Sequence, residues 1–409
     1  MEKSLFQSPI PRKEKVSSMA KTRNFNENYP VKDFYMRFDQ RDTAFGQRLK
    51  RTGSIVNFGG DEDKTERINQ GISGFSLVDY AFNSAAGMYE TLPGKHDSQG
   101  TGFYSWEPLG VARKPEGVLR WEGTPEKAAK IIVKAAKYFG AAGIGFTNID
   151  KRWVYTYARF GREIVFEDVE EGYLTDKKAV IPESHKWVIA LTVPMEYEET
   201  RYSPTRLEVA TAMGYSRMHL LAGHVAEFIR GLGYHAIPCG NDTALSVPIA
   251  IQAGLGHLGR HGRLITWERG PLVRICKIFT DIPLPQSPQA PGGIIEYCEV
   301  CKKCAKHCPS QAIAHGPREW MGHKGFNNSG ALKWYSNAEK CLDYWHEIGH
   351  GCNNCFMVCS FTKPSGLKHS VIKWFIRNVP LLNRLWVWAD NAMGYGKMKD
   401  PIKYWEQTL

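Results

Sequence analysis

Apolar and polar positions change character three times along this chain. Up to about residue 65 the sequence is polar and charged with few periodic apolar positions, which predicts a loosely ordered arm or a segment wrapped over a surface. Residues 74–92 (GFSLVDYAFNSAAGMYETL) are richer in aromatics and compatible with helix. Residues 93–117 carry glycine, proline, Tyr104 and Trp106 and read as an irregular loop whose aromatics pack rather than wall a pocket. Regular patterning starts near 124. There PEKAAKIIVKAAKYFG has apolar residues at helical spacing, Thr124 as N-cap, Pro125 in the first turn and Gly140 at the end. AGIGFTNI follows as a short strand, 151–185 is a polar insertion, and WVIALTVPM (187–195) is a buried strand. A helix over about 205–231, a strand-like HAIP (235–238), a helix over about 246–254 and strands in LITW and VRICKIFTDIPL complete the alternation. Alternating helices and strands predict an α/β layer. A proline-rich linker, 283–291, precedes a cysteine-rich unit. Residues 371–388 are amphipathic, broken at Pro380, and are expected to pack on that unit rather than on a membrane.

The cysteine-rich unit carries the strongest chemical signal. Residues 298–308 read CEVCKKCAKHC and are closed by Pro309, so Cys298, Cys301, Cys304 and Cys308 form the bacterial ferredoxin run for iron–sulfur clusters. Two-residue loops let three thiolates converge on one cluster, and the fourth cysteine of such a run serves a second cluster. A second group follows: Cys341, Cys352, Cys355 and Cys359. Ferredoxin logic joins Cys298, Cys301 and Cys304 with Cys359 on one 4Fe–4S cluster, and Cys308 with Cys341, Cys352 and Cys355 on the other. Structural zinc is disfavoured, because it takes two Cys-x2-Cys pairs or adds histidine. The insert LDYWHEIGHG between Cys341 and Cys352 suggests that the second cluster faces something other than solvent. Of the ten cysteines, Cys239 and Cys276 remain, each in an apolar context and expected to be a buried small hydrophobe.

Composition narrows the rest. With 409 residues the chain exceeds one core and suggests two or three units. The net charge of +11 is spread rather than clustered, apart from a modest tail (Arg12, Lys13, Lys15, Lys21, Arg23), which argues against a nucleic-acid partner. No apolar run reaches the ~18 residues of a membrane span, and no charged-then-apolar signal peptide opens the sequence. The glycine-rich GLGHLGRHG (254–262) matches a dinucleotide fingerprint only loosely. It follows no clear strand and has no acidic partner at the right distance.

A series of blocks in order, YSRM (215–218), FIRGLGYHAIPCGND (228–242), AGLGHLGRHGRLIT (253–266), GPLVRICKIFTDIPL (270–284), EYCEVCKKCAKHCP (296–309), CLDYW, CNNCFMVCSFTK and DNAMGYG (390–396), resembles the corrinoid-dependent respiratory reductive dehalogenases. RWEGTPE (120–126) is also similar, and coverage is good over about 120–397 and weak before it. The resemblance implies an α/β (α+β) fold: an N-terminal wrapping and substrate-cavity region (1–119), a nitroreductase-like corrinoid-binding domain (120–290), a ferredoxin-like two-cluster unit (291–366) and a C-terminal extension (367–409). Tyr215 falls on the family's proton-donating tyrosine, Arg274 on the arginine near it and Asn241 on a polar residue of the same pocket. Thr211 matches a pocket position one helical turn before Tyr215, and Trp345 an aromatic between the second cluster and the pocket. Tyr35, Phe38, Tyr80, Tyr104 and Trp106 are candidates for shaping the substrate cavity.

These residue types suit the chemistry. Replacing carbon–halogen by carbon–hydrogen takes two electrons and one proton. A free tyrosine, with a pKa of roughly 10, carries its proton at neutral pH, and a nearby arginine favours its release. Asp343, His346 and Gly349 come near the Asp-x-His-x-x-Gly signature of cobalt-ligating histidines, but the spacing is wrong. The expected corrinoid is therefore cobalamin-type, base-off and without a protein histidine. His257, His261, His346 and His350 are expected at the surface or in packing roles. The resemblance further implies a small halogenated substrate, an electron-donor protein or quinol system, and a small membrane-anchor protein, and it is compatible with a homodimer. It places the protein on the outer face of the cytoplasmic membrane. The sequence shows no twin-arginine leader, so the expectation is a leader-trimmed form, with a cytoplasmic protein as the alternative. Two rival readings are a corrinoid tRNA-modifying enzyme resembling epoxyqueuosine reductase and an electron-transfer subunit without its own substrate. The first is expected to carry an acidic proton donor and helical repeats; the second leaves the long α/β domain unexplained.

Overall fold

The computed structural model describes residues 24–54, 61–91, 106–112, 114, 116–202, 205–323 and 325–406. Tyr104 and the basic residues between Arg12 and Arg23 lie outside the described residues. The N-terminal segment is more firmly built than its polar sequence predicts. Helix α1 (Phe25–Asn28) is closed by an Asn24–Glu27 capping box. Phe25 and Tyr29 are buried in the main core. The Tyr29 hydroxyl accepts the Leu258 N–H at 2.9 Å. Arg37 donates to the carbonyls of Val154, Tyr155 and Ile164 at 3.1, 2.6 and 2.8 Å. A few aromatic anchors and one arginine on open carbonyls thus hold a segment without apolar periodicity. Helices α2 (Ala44–Thr52), α3 (Asp61–Asn69), α4 (Leu77–Ala86) and α5 (Met88–Thr91) follow.

The next region centres on a four-stranded sheet. Helix α6 (Pro125–Tyr138) begins where the sequence predicts, with the Thr124 hydroxyl accepting from the Lys127 N–H. Strand β1 (Gly143–Asn148) leads into an insertion that builds its own small sheet. That sheet comprises β2 (Glu163–Glu167), β3 (Tyr173–Leu174) and β4 (Lys178–Pro182) in the order β2-β4-β3. Then come β5 (Trp187–Pro194), α7 (Tyr197–Thr200), the 27-residue α8 (Thr205–Gly231), β6 (Ala236–Cys239), α9 (Ser246–Gln252), β7 (His257–Leu258), β8 (Leu264–Ile265) and β9 (Val273–Thr280). The main sheet runs β1-β5-β9-β6 and every neighbouring pair is antiparallel, so the layer is α+β rather than a parallel α/β sheet. Strands β5 and β9 are its interior strands, which explains their almost unbroken apolar sequence. Helix α8 packs on one face beside α6 and also carries α4 and α5 along its length. Cys239 and Cys276 are fully buried in the two cores, as their context predicts.

Past the linker, the cysteine-rich unit consists of short helices: α10 (Ile294–Cys301), α11 (Lys303–Lys306), α12 (Ala338–Ile348) and α13 (Asn354–Met357). Lys302 (φ 52°) and Asn353 (φ 37°) adopt left-handed backbone inside the Cys-x2-Cys loops, turning the chain so that adjacent thiols face inward. Helices α14 (Leu367–Asn378) and α15 (Asn383–Ala392) are separated at Pro380 and pack against α10, and α16 (Ile402–Trp405) closes the chain near α4. Trp374, Leu381 and Trp388 remain exposed on their outer side. Among the described residues no helix is long and apolar enough to cross a membrane.

Candidate active site

Helix α8 places Glu208, Thr211 and Tyr215 three and four residues apart, hence on one stripe. Strand β9 brings Arg274 to that stripe. Its guanidinium lies over the Tyr215 ring, 4.7 Å from the centroid, and its Nη2 donates to the Thr211 hydroxyl at 3.0 Å. The approach depends on Gly214, because a Cβ there would lie 3.0 Å from Arg274 Cγ and 3.3 Å from Met195 Cγ. Asn241 arrives from the turn after β6, and its Nδ2 donates to the Tyr215 hydroxyl at 2.9 Å. That turn is braced from below. Buried Lys277 on β9 donates to the Gly240 carbonyl and, at 2.9 Å, to the Ser246 hydroxyl. Gln40 of the N-terminal segment holds the Asn241 carbonyl at 3.3 Å.

Thr211 is the junction of the site. Its hydroxyl donates to the Leu207 carbonyl at 2.9 Å and accepts from Arg274 and, at 3.2 Å, from Asn353 Nδ2. One donor and two acceptor positions are thereby all used. Asn353 lies between Cys352 and Cys355, so a cysteine loop is hydrogen-bonded into the Tyr215 site. Phe356 reinforces the joint with its ring 5.8 Å from the Arg274 guanidinium carbon. The sequence signal for this, the CNNC loop, is visible, but its left-handed asparagine was not singled out. Glu208 was also missed: burial raises its carboxyl above the ordinary glutamate range against the opposing pull of Arg274. Trp345 stands on α12, where its ring packs 5.9 Å from Phe45, in the wall between α12 and α2.

The candidate cavity aromatics have packing contacts. Tyr35 lies edge-on to Trp153 at 5.3 Å, Phe38 tilts on Tyr155 at 6.4 Å, and Tyr80 meets Phe75 at 6.3 Å. Trp106 is buried, with its carbonyl accepting from Arg230 at 3.0 Å. Of the four histidines, His257 and His261 are buried rather than superficial, and burial lowers His261 to about 3 and His350 to about 4.

The eight thiols of the cysteine-rich unit form two adjoining neighbourhoods, with Cys304 of the first also feeling Cys355 of the second. Burial raises Cys298 to about 12, with Cys301 adding to the rise; burial likewise raises Cys304 and Cys359, and both feel Cys298 and Cys301. Burial raises Cys352 to about 12 and Cys355 to about 11, and Cys341 and Cys308 push both further. Thiols packed together at such cost are what a thiolate-binding metal centre requires, and their number and arrangement are consistent with iron–sulfur clusters. The glycine-rich stretch contributes here rather than to a nucleotide. Gly254 (φ 78°) lets the backbone pass the Pro288 carbonyl, which a Cβ would approach to 2.1 Å. The β7–β8 turn then delivers Arg260 and Arg263. Arg260 is buried, donates to the Cys298 carbonyl at 3.0 Å and lowers Cys298; Arg263 lowers Cys341 and Cys355. On the other side of the first neighbourhood, Asp390 of α15 is buried between Lys303 and Lys363.

Comparison with known proteins identifies the family. A family profile described as "Reductive dehalogenase subunit" matches residues 159–284. The tetrachloroethene reductive dehalogenase of Sulfurospirillum multivorans is 36% identical over 320 residues, covering 74% of this chain and 63% of that protein. A tetrachloroethene reductive dehalogenase of Desulfitobacterium hafniense is 33% identical over 373 residues, covering 80% of this chain and 66% of that protein. The chain thus spans slightly less than two thirds of the length of these curated relatives. A solved reductive dehalogenase, reported as suggesting a mechanism for B12-dependent dehalogenation, shares the fold at a TM-score of 0.63 and 20% identity over 90% of this chain and 47% of that one. With the profile lying across the sheet that carries Arg274 and the relatives extending over most of the sequence, the chain belongs to the reductive dehalogenase family.

Proposed function

We propose that this protein is a reductive dehalogenase acting on a small organohalide, with Tyr215 as the proton donor. The observation that carries the reading is the bonded series Asn241–Tyr215, Arg274–Thr211–Asn353, which joins a phenol to the loop of a cysteine cluster. The net change is R–X plus two electrons and one proton to R–H plus X⁻. Cys298, Cys301, Cys304 and Cys359 would hold one 4Fe–4S cluster and Cys308, Cys341, Cys352 and Cys355 the other, and the two clusters would supply the electrons singly. The loop of the second set carries Asn353, which bonds Thr211 and so ties that set to the Tyr215 site.

The site suits a corrinoid. Its polar groups are a phenol, an amide and a guanidinium, with neither thiolate nor imidazole among the contacts of the Tyr215 hydroxyl. Buried Arg274 Nε has no partner among the described residues. Tyr215, Asn241 and Asn353 would border the group, and when bound it supplies the two-electron chemistry at the carbon–halogen bond. The chain's own task is the proton. Asn241 donates to the phenol oxygen, which leaves the Tyr215 O–H free to point at the substrate carbon. Arg274 over the ring stabilises the negative charge that develops as the proton leaves. Thr211 holds Arg274 in that position. The same guanidinium favours the departing halide. The exposed apolar side chains of α14 and α15, Trp374 and Trp388 among them, suit a small membrane-anchor protein near the first cluster.

The test is anaerobic purification with metal analysis and halide release. About eight irons per cobalt are expected, with halide released under a low-potential reductant. Tetrachloroethene, the compound named for the relatives, is assayed first. Full iron and cobalt without halide release from ethene, alkane or aromatic organohalides would overturn the reading.

A further inference from the structure

Strands β5, β9 and β6 share one rung at the sheet end remote from Arg274, where Thr280 pairs with both Trp187 and Ala236. Arg274 lies six residues earlier on β9 and pairs with Val193, so the two ends are roughly 20 Å apart at the usual rise per residue. Three side chains meet just beyond the shared rung. His185 comes from the turn between β4 and β5, His235 from the turn between α8 and β6, and Asp281 from the end of β9. One ligand-capable atom from each lies within 4.8 Å of the others.

The detailed bonding singles this cluster out. His185 is only 2% exposed, and neither of its ring nitrogens has a partner among the described residues. A buried imidazole with two unmet nitrogens is costly, and native structures rarely leave one. Its ring faces that of His235, with centroids 6.1 Å apart. Asp281 Oδ1 accepts the His235 backbone N–H at 2.8 Å, which fixes the carboxylate, and Oδ2 pairs with His235 Nδ1 at 3.3 Å. That separation is close to the edge of a tetrahedron with metal bonds of about 2.0–2.1 Å. His235 Nε2 points to Glu171 at 3.4 Å, the outer carboxylate that orients metal-bound imidazoles.

We propose that His185, His235 and Asp281 bind a divalent transition-metal ion of the zinc class, with Glu171 as the orienting carboxylate. Two imidazoles and a carboxylate suit zinc over calcium or magnesium, which prefer all-oxygen shells. His185 closes the gap by moving inward by roughly an ångström, which satisfies one of its orphaned nitrogens. The ion clips together the ends of three strands just beyond their shared rung and is separate from the iron–sulfur clusters and the Tyr215 site. Its function is structural: it secures the end of the sheet whose other end holds Arg274.

The test uses the protein with its clusters in place, purified from zinc-containing medium. Zinc is measured beside iron and cobalt, and the zinc X-ray absorption edge reports the ligands. The expected result is about one zinc per chain with a shell of nitrogen and oxygen near 2.0 Å. In H185Q and, independently, D281N, zinc content falls at least tenfold at unchanged iron, with a lower thermal midpoint. Absence of zinc after titration of the purified protein with zinc chloride overturns the proposal. So does a sulfur shell near 2.3 Å, which would place the zinc in a cysteine site, or zinc retained by both variants.

Discussion

The two cysteine neighbourhoods use the same ligand chemistry in different surroundings. The Cys298–Cys359 group is enclosed by charge: Arg260 on one side, and Lys303, Asp390 and Lys363 on the other, all buried or nearly so. The Cys308–Cys355 group faces the exposed Arg263 and is bonded to the Tyr215 site through Asn353. On the electron path proposed above, the contrast would separate a relay from a delivery point. A relay needs an electrostatic setting that is stable whatever the substrate site is doing. A delivery point needs a short, fixed path to that site.

The largest effect should come from removing a delivery ligand. Cys355→Ala is expected to lose one cluster, with iron falling from about eight to about four per chain, and to abolish halide release. Cys301→Ala is expected to lose the other cluster yet to keep partial turnover with a small diffusible reductant that bypasses the relay. Paramagnetic resonance with iron analysis and halide assay distinguishes them, and equal loss of activity would remove the distinction. Next comes Tyr215→Phe, expected to lower turnover about 10²- to 10⁴-fold, the usual range for a general acid, with iron and cobalt unchanged. Thr211→Val, which unhooks Arg274 and Asn353 together, is expected to cost about tenfold, comparable to losing one or two net hydrogen bonds, as measured by kcat at saturating substrate. The smallest effect concerns Glu208. Its folded pKa is raised, so the native state holds that proton more tightly than the unfolded chain and stability falls as pH rises from the unfolded value toward the folded one. Glu208→Gln removes this fall, so its thermal midpoint should gain on the parent protein's as pH increases across that window; parallel curves would show that Glu208 titrates normally.

Much of the fold was legible because its signals are local. Thr124 with Pro125 fixes the start of α6, and the apolar period of α8 gives both of its ends as observed. Strand direction was not legible, because antiparallel β5 and β9 are interior strands and lose the polar alternation that betrays such sheets. For the N-terminal segment the sequence left a loose arm and a wrapped segment open, and its described part is wrapped onto the core for a related reason. Arg37 on three carbonyls and Tyr29 on the Leu258 amide are long-range bonds that leave no periodic trace. At the site, Tyr215, Arg274, Asn241 and Thr211 stand together, and Trp345 packs with Phe45. Asn353, Glu208 and Lys277 escaped notice because their roles exist only once separate elements meet.

The interleaving of the two cysteine groups also bears on biosynthesis. Cys304 neighbours Cys359, and Cys308 neighbours Cys355. The nascent chain therefore emerges from the ribosome with its first four thiols lacking their partners until some fifty further residues have been translated. With the ligand sets proposed above, neither cluster could be completed before Cys355 and Cys359 had been translated. Iron delivery would thus wait until the sheet, which precedes the cysteines, can already fold, and a chain stalled before Cys359 would present reactive thiols to oxygen or to the wrong metal.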